Sequence, residues 1–171
     1  MRLAGFLIAL LLTLSGCGYH VSGQGDLLPK NIRTIAIPAF TNLTTRYRIA
    51  ERIPRALGRE FISRTRYRVV TDEQDADAVL TGAVINYSAW PNVLDQATGR
   101  AAGVQVSVQL QLSLRDRATG KELFSRPGME FRQRYEISPD QIGYFEESEP
   151  AVERLAQDVA RQVVSAVLEA F

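Results

Sequence analysis

The sequence has one cysteine and one histidine in 171 residues, and that scarcity excludes whole classes of protein. A lone cysteine forms no internal disulfide, and one Cys with one His leaves almost no zinc chemistry. A Cys–His catalytic pair would need Cys17 and His20 to meet as nucleophile and base, although only two residues separate them. Excess charge is missing too. There are 20 Lys+Arg and 19 Asp+Glu, a net +1 that argues against a nucleic-acid binder. A membrane-spanning helix needs roughly 20 apolar residues, and the longest apolar stretch, Leu3–Leu14, has 12. What is present is a 46% hydrophobic chain of a length that suits one domain around one core.

Arg2 followed by Leu3–Leu14 has the build of a secretory signal. Leu14-Ser15-Gly16-Cys17 then resembles the lipobox of bacterial lipoproteins: an apolar residue, two small ones and Cys. The resemblance implies a diacylglyceryl thioether on Cys17, cleavage after Gly16 and N-acylation of the new terminus. An ordinary signal peptide followed by a free thiol is the alternative. An unpaired thiol has no purpose in an oxidising compartment, whereas lipidation explains why there is only one. Three acyl chains, at about 0.8 kcal/mol per CH₂, anchor a protein stably. Gly18 rather than Asp after the cysteine implies sorting to the outer membrane. The expected organisation is a signal peptide at 1–16, a lipidated tether at 17–30 and a single domain at 31–171, with Tyr19 and His20 beside the headgroups.

Near-neutrality hides local imbalance. Residues 30–68 carry a net +8, 69–99 −5, 100–139 +3 and 140–171 −5. Arginine outnumbers lysine by 18 to 2. Genome composition explains that bias more simply than function does, although arginine suits bidentate phosphate recognition. Asp72, Glu73, Asp75 and Asp77 lack the glycine and distal glutamate of a calcium loop and read as a solvated turn. No metal or cofactor is expected.

Asn31–Phe40 reads as a buried strand stopped by Pro38. Residues 47–64 have helical periodicity, with Ile49, Ile53, Ala56, Leu57 and Phe61 on one face and a solvated stripe of Arg48, Arg52, Arg55 and Arg59 on the other. Pro54 is expected to kink this helix or to delay its regular part to about Arg52. Tyr67–Val70 is a second short strand, and Ala78–Tyr87 a central one with Trp90-Pro91 at its far end. Val104 to Leu114 alternate with Gln105, Ser107, Gln109, Gln111 and Ser113, giving one apolar face and one polar, uncharged face. After a turn at Asp116–Gly120, Leu123–Ile137 returns as a partner strand interrupted at Pro127-Gly128. Met129, Phe131, Tyr135 and Ile137 point inward there, with Gln133 the polar exception. Ser148-Glu149-Pro150 starts a helix to Phe171 with the apolar stripe Val152, Leu155, Ala156, Val159, Val163, Val167 and Ala170. This order predicts an α+β two-layer sandwich, two helices packed on one face of a mixed four- or five-stranded sheet.

Three stretches together carry a family resemblance: Cys17-Gly18-Tyr19-His20 with Gly23; Ile37-Pro38-Ala39-Phe40-Thr41-Asn42 before an amphipathic helix; and Asp75-Ala76-Asp77-Ala78 before a strand with Gly82. The chain resembles the lipopolysaccharide-assembly lipoprotein family, LptE. The resemblance implies an outer-membrane, periplasm-facing, non-enzymatic lipoprotein that plugs an LptD-type β-barrel translocon and helps deliver lipopolysaccharide to the outer leaflet. An activator of a periplasmic cell-wall enzyme or a secretion-channel subunit is the alternative, since some of these share the lipobox and the strand–helix–strand start. The uncharged polar strand suits a barrel wall, because lumenal barrel faces are polar. Phosphates of lipopolysaccharide are best met by several arginines. Arg115, Arg117 and Lys121 around the hairpin turn, with Arg132 and Arg134 on the return strand, are the expected ligand contacts. No catalytic residue is expected, since His20 sits next to the acylated Cys17, away from any core pocket.

Overall fold

Three short strands and three long ones build one mixed sheet. The computed structural model describes residues 28–46, 48–96, 99, 101–136 and 148–171. The short strands are β1 (Thr34–Ala36), β2 (Thr41–Asn42) and β3 (Arg68–Val70). The long ones are β4 (Ala78–Leu94), β5 (Ala101–Asp116) and β6 (Glu122–Glu136), of 17, 16 and 15 residues. Their order is β3-β1-β4-β5-β6, with β2 beside β4. β1 pairs with β3 and β4 in parallel, β2 also pairs with β4 in parallel, and β4-β5-β6 is an antiparallel meander. The sheet has six strands rather than four or five, because Thr41 and Asn42 bridge to Ala83 and Val84. Helices α1 (Ile49–Arg64) and α2 (Ser148–Leu168) cover one face, and the expected two-layer α+β sandwich is formed.

The alternation expected of the long strand makes the core. Val108, Leu110, Leu112 and Leu114 of β5 meet Leu80 and Val84 of β4, Ile53, Leu57 and Phe61 of α1, and Leu155, Val159 and Val163 of α2, all fully buried. Each such side chain contributes about 1.5–3 kcal/mol by leaving water. The two helices run in the same direction. Near its middle α1 meets the start of α2 through Arg59 and Glu153 (2.6 Å), and at its end Arg64 reaches Ser165 Oγ (2.8 Å). Leu28, the first described residue, lies in the core and donates its N–H to the Tyr67 hydroxyl (2.9 Å).

Pro54 does not delay α1, which starts at Ile49 and runs on through the residue. The carbonyl it leaves without a helical donor belongs to Ala50, and that oxygen accepts the N–H of Phe40 at 3.1 Å. The loss inside the helix is thus made good from the β1–β2 segment.

Other departures from expectation have equally local causes. β4 runs on through Pro91 to Leu94; among the described residues its far half pairs with β5 alone, and proline is tolerated on an open edge. Residues Pro127 and Gly128 do not interrupt β6; the register slips between the pairs Leu110–Met129 and Leu112–Arg126. Gln133 does face the core side, where its amide donates to Asp158 of α2. α2 ends at Leu168 and leaves Ala170 exposed, so that residue is not part of the buried stripe. Ile137 lies outside the described residues. Asp77 is more than part of a solvated turn: its Oδ2 accepts the N–H groups of Arg33 and Thr34, both at 2.9 Å, and holds the start of β4 against β1.

Candidate binding surfaces

Both helices lie on one face, and among the described residues no helix covers the other face of the sheet. Cross-strand register writes it out row by row, from the β4–β5 tip downward. Trp90 lies opposite Gln105, and Gln105 opposite Arg134; Ser88, Ser107 and Arg132 form the next row, and Asn86, Gln109 and Glu130 the third. Below them come Ala83 with Gln111, then Thr81 with Ser113 and Ser125, and finally Val79, Arg115 and Glu122. A small apolar cluster of Ala36, Val70, Ala76 and Val79 closes the bottom of this face.

Trp90 is on this face because of one irregularity. In β4 the core-facing positions are Ala78, Leu80 and Val84, and continued alternation would send Trp90 inward as well. The register slips by one residue between Val84 and Asn86, which reverses the parity beyond it. Tyr87, Ala89 and Pro91 then share the helix side with Val104, Val106 and Val108, and Trp90 turns outward at 40% exposure. A second irregularity at Asn92 lays its side chain over Gly103, where an added Cβ would meet Asn92 Oδ1 at 2.7 Å.

The five cations expected to meet phosphate form two groups rather than one. Arg115 stands opposite Glu122 and Arg132 opposite Ser107, eight residues apart along β5, or about 26 Å at 3.3 Å per residue. The Arg115, Arg117 and Lys121 end does not project. Asn31 donates to Asp116 Oδ2 (2.9 Å), the Arg117 N–H bonds the Asp77 carbonyl (2.8 Å), and Arg117 Nε bonds the Ala76 carbonyl (2.6 Å). The Thr119 N–H, with Asn31 next in weight, holds the Asp116 carboxyl below its ordinary range. At the other end Arg132 makes two bonds to Glu130, of 2.8 and 2.9 Å, and Ser107 Oγ donates to the same carboxylate (2.7 Å). The Arg132 hydrogen bonds, followed by the one from Ser107, lower the Glu130 pKa. Arg134 is exposed beside them. Cys17 lies outside the described residues.

A polar cluster on the helix side was not expected from the sequence. Arg46 stacks over the Tyr87 ring at 5.2 Å and Arg154 over Tyr135 at 5.7 Å. Burial, followed by the nearby Asp158 charge, pushes the Tyr135 hydroxyl well above its ordinary value. Among the described residues no group of acidic, His or Cys side chains is arranged to hold a metal, and no helix is long and apolar enough to cross a membrane.

The described residues thus form a helix-backed sheet whose other face is polar, uncharged along β5 from Gln105 to Ser113 and charged along β6. PelC from Paraburkholderia phytofirmans has this fold, with a TM-score of 0.54 and 15% identity over 81% of this chain and 90% of that one. So does a lipoprotein from Caulobacter crescentus CB15, with a TM-score of 0.51 and 14% identity over 77% and 88%. At such identities the likeness is one of fold. No curated protein matches the chain. The model of the lipopolysaccharide-assembly family, LptE, matches residues 32–167, and the chain belongs to that family.

Proposed function

We propose that this protein is an outer-membrane lipoprotein, acylated at Cys17, which seats in the lumen of an LptD-type β-barrel and supports delivery of lipopolysaccharide to the outer leaflet. The observation that supports the reading is the open face. β5 turns Gln105, Ser107, Gln109, Gln111 and Ser113 outward with no charge among them. Along β5 a polar lumenal wall would meet amides and hydroxyls rather than ions. The cations at the two ends of that face, Arg115, Arg117 and Lys121 below and Arg132 and Arg134 above, are the groups proposed to meet lipopolysaccharide phosphates, each exposed pair adding only about 0–1 kcal/mol.

The test is affinity purification from outer membranes. The wild-type protein is expected to bring down a large barrel, and the double substitution Gln109→Glu with Gln111→Glu to lose it while keeping its fold by circular dichroism. Wild-type recovery of the barrel by the double variant would count against the interface. A cell-wall synthase or a ring of identical subunits in its place would overturn the reading. Mass spectrometry of the mature N-terminus is expected to show an acylated Cys17; an unmodified thiol there refutes the anchor.

A further inference from the structure

We infer that the end of the domain carrying Lys30, Arg33, Arg66 and Arg68 docks on the anionic phospholipid headgroups of the leaflet that holds the anchor. The inference deepens the reading above and rests on it only for the acylated Cys17.

Local contacts gather these residues at one end. Leu28 and Ile32 turn into the core, while Lys30 and Arg33 of the same segment stand exposed. The Leu28 N–H bonds the Tyr67 hydroxyl, and the residues on either side of that tyrosine are Arg66 and Arg68, both exposed. The Arg68 N–H bonds the Arg33 carbonyl (2.9 Å), so the two segments lie side by side. Both helices finish at this end: α1 stops at Arg64, which reaches Ser165 in the last turn of α2. Two large apolar side chains are exposed there, Ile62 in the last turn of α1 (61%) and Phe171 beyond α2 (45%).

Charge and reach together select the occupant. Among the described residues Lys30, Arg33, Arg66 and Arg68 make no ion pair. The nearby acids are turned elsewhere. Asp77 takes the N–H groups of Arg33 and Thr34, and Asp116 takes the Asn31 amide and the Thr119 N–H. Asp72, Glu73 and Asp75 belong to the turn whose Ala76 packs with Ala36 and Val79 on the sheet face away from the helices. Cations with exposed apolar side chains at their margin make a surface that rests on an anionic bilayer. Cys17 lies eleven residues before Leu28, and eleven residues span at most about 40 Å. An acylated Cys17 therefore holds this end within that distance of the headgroups, so lipid meets it whatever else is bound. Trp90, opposite Gln105, stands about 36 Å farther along the strand than Asp116.

The full acylated lipoprotein is reconstituted into vesicles of chain-brominated phosphatidylcholine, alone or with an equal part of phosphatidylglycerol. Bromine quenches an indole only at close range, and Trp90, the only tryptophan, reports the far end. Reporters at the docking end are made by Phe171→Trp and by Ile62→Trp, each in a Trp90→Phe background. Quenching of these reporters is expected in the anionic vesicles, less in the neutral ones, and is expected to fade as salt is raised. Trp90 is expected to stay bright in both. Each cation at an anionic surface is worth about a fivefold change in partition, so Arg33→Gln with Arg66→Gln should lower the docked-to-undocked ratio about thirtyfold. Silence of both reporters, quenching equal in the two vesicles, or quenching unchanged by the double substitution overturns the docking surface. So does quenching of Trp90 as strong as that of the reporters. The anchor is scored separately, by flotation with neutral vesicles. Flotation without quenching specific to the anionic vesicles refutes only the docking surface, and loss of flotation with that quenching retained refutes only the acylated anchor.

Discussion

Replacing Gly82 by alanine should destabilise the domain through a single contact. A Cβ built at Gly82 would lie 2.7–2.8 Å from three atoms of the Phe40 ring, inside any allowed van der Waals separation. The ring cannot simply withdraw, because Phe40 is 5% exposed and its backbone N–H is tied to Ala50. Overpacking costs about 1–3 kcal/mol, and three ring atoms inside 3 Å put this case at about 2–3; removing a strand glycine returns about 0.5–1, leaving a net loss of about 1–2.5 kcal/mol. For a domain of this size that is a fall in Tm of about 2–10 °C. Urea or thermal unfolding measures it. The control is Phe40→Ala, itself expected to cost about 3–5 kcal/mol. In that background Gly82→Ala should be neutral or slightly stabilising, since nothing remains to collide with. If Gly82→Ala costs the same with and without the ring, or costs nothing in the wild type, the contact is not what requires glycine there.

Asp77→Ala leaves the Arg33 and Thr34 N–H groups without their shared acceptor and should cost about 1–3 kcal/mol in urea denaturation, with Asp77→Asn recovering much of the loss. An alanine variant as stable as wild type would show that water satisfies both donors. Asp116 has a depressed folded pKa, so its contribution is present above the unfolded carboxylate value and fades as pH falls through about 4 and below. Asp116→Asn should therefore be less stable than wild type at pH 7, and the gap should narrow steadily toward pH 3; a gap that is constant with pH contradicts this.

Much of the architecture was legible because periodicity reports burial directly. Alternation along Val104–Leu114 and the helical stripe Ile49–Phe61 each have one core face, and those faces are where the structure puts them. Two of the three stretches behind the family resemblance hold the fold together; the first, at Cys17–Gly23, lies outside the described residues. Phe40 lies over Gly82, Asn42 accepts from the Thr44 N–H and donates to the Arg46 carbonyl, and Asp77 pins β1 to β4. What the sequence hid were slips of one residue. Nothing in Val84-Ile85-Asn86 announces a bulge, yet that bulge decides whether Trp90 is in the core or on the open face. The distance between the two cation groups was hidden for a related reason: position on one hairpin does not tell how far the return strand carries Arg132 from Arg115.

The long strands also act as a ruler. Asn31 bonds Asp116 at one end of β5, while Trp90 stands opposite Gln105 toward the other end of that strand. Gln105 and Asp116 are eleven residues apart, about 36 Å at the rise of a strand. Inserting one matched pair of residues into each of β4, β5 and β6 would lengthen that arm by about 6.6 Å and preserve every side chain's facing. A single inserted residue would instead turn the surface over. The height of the Trp90 end above the Asn31–Asp116 end is therefore quantised in steps of two residues.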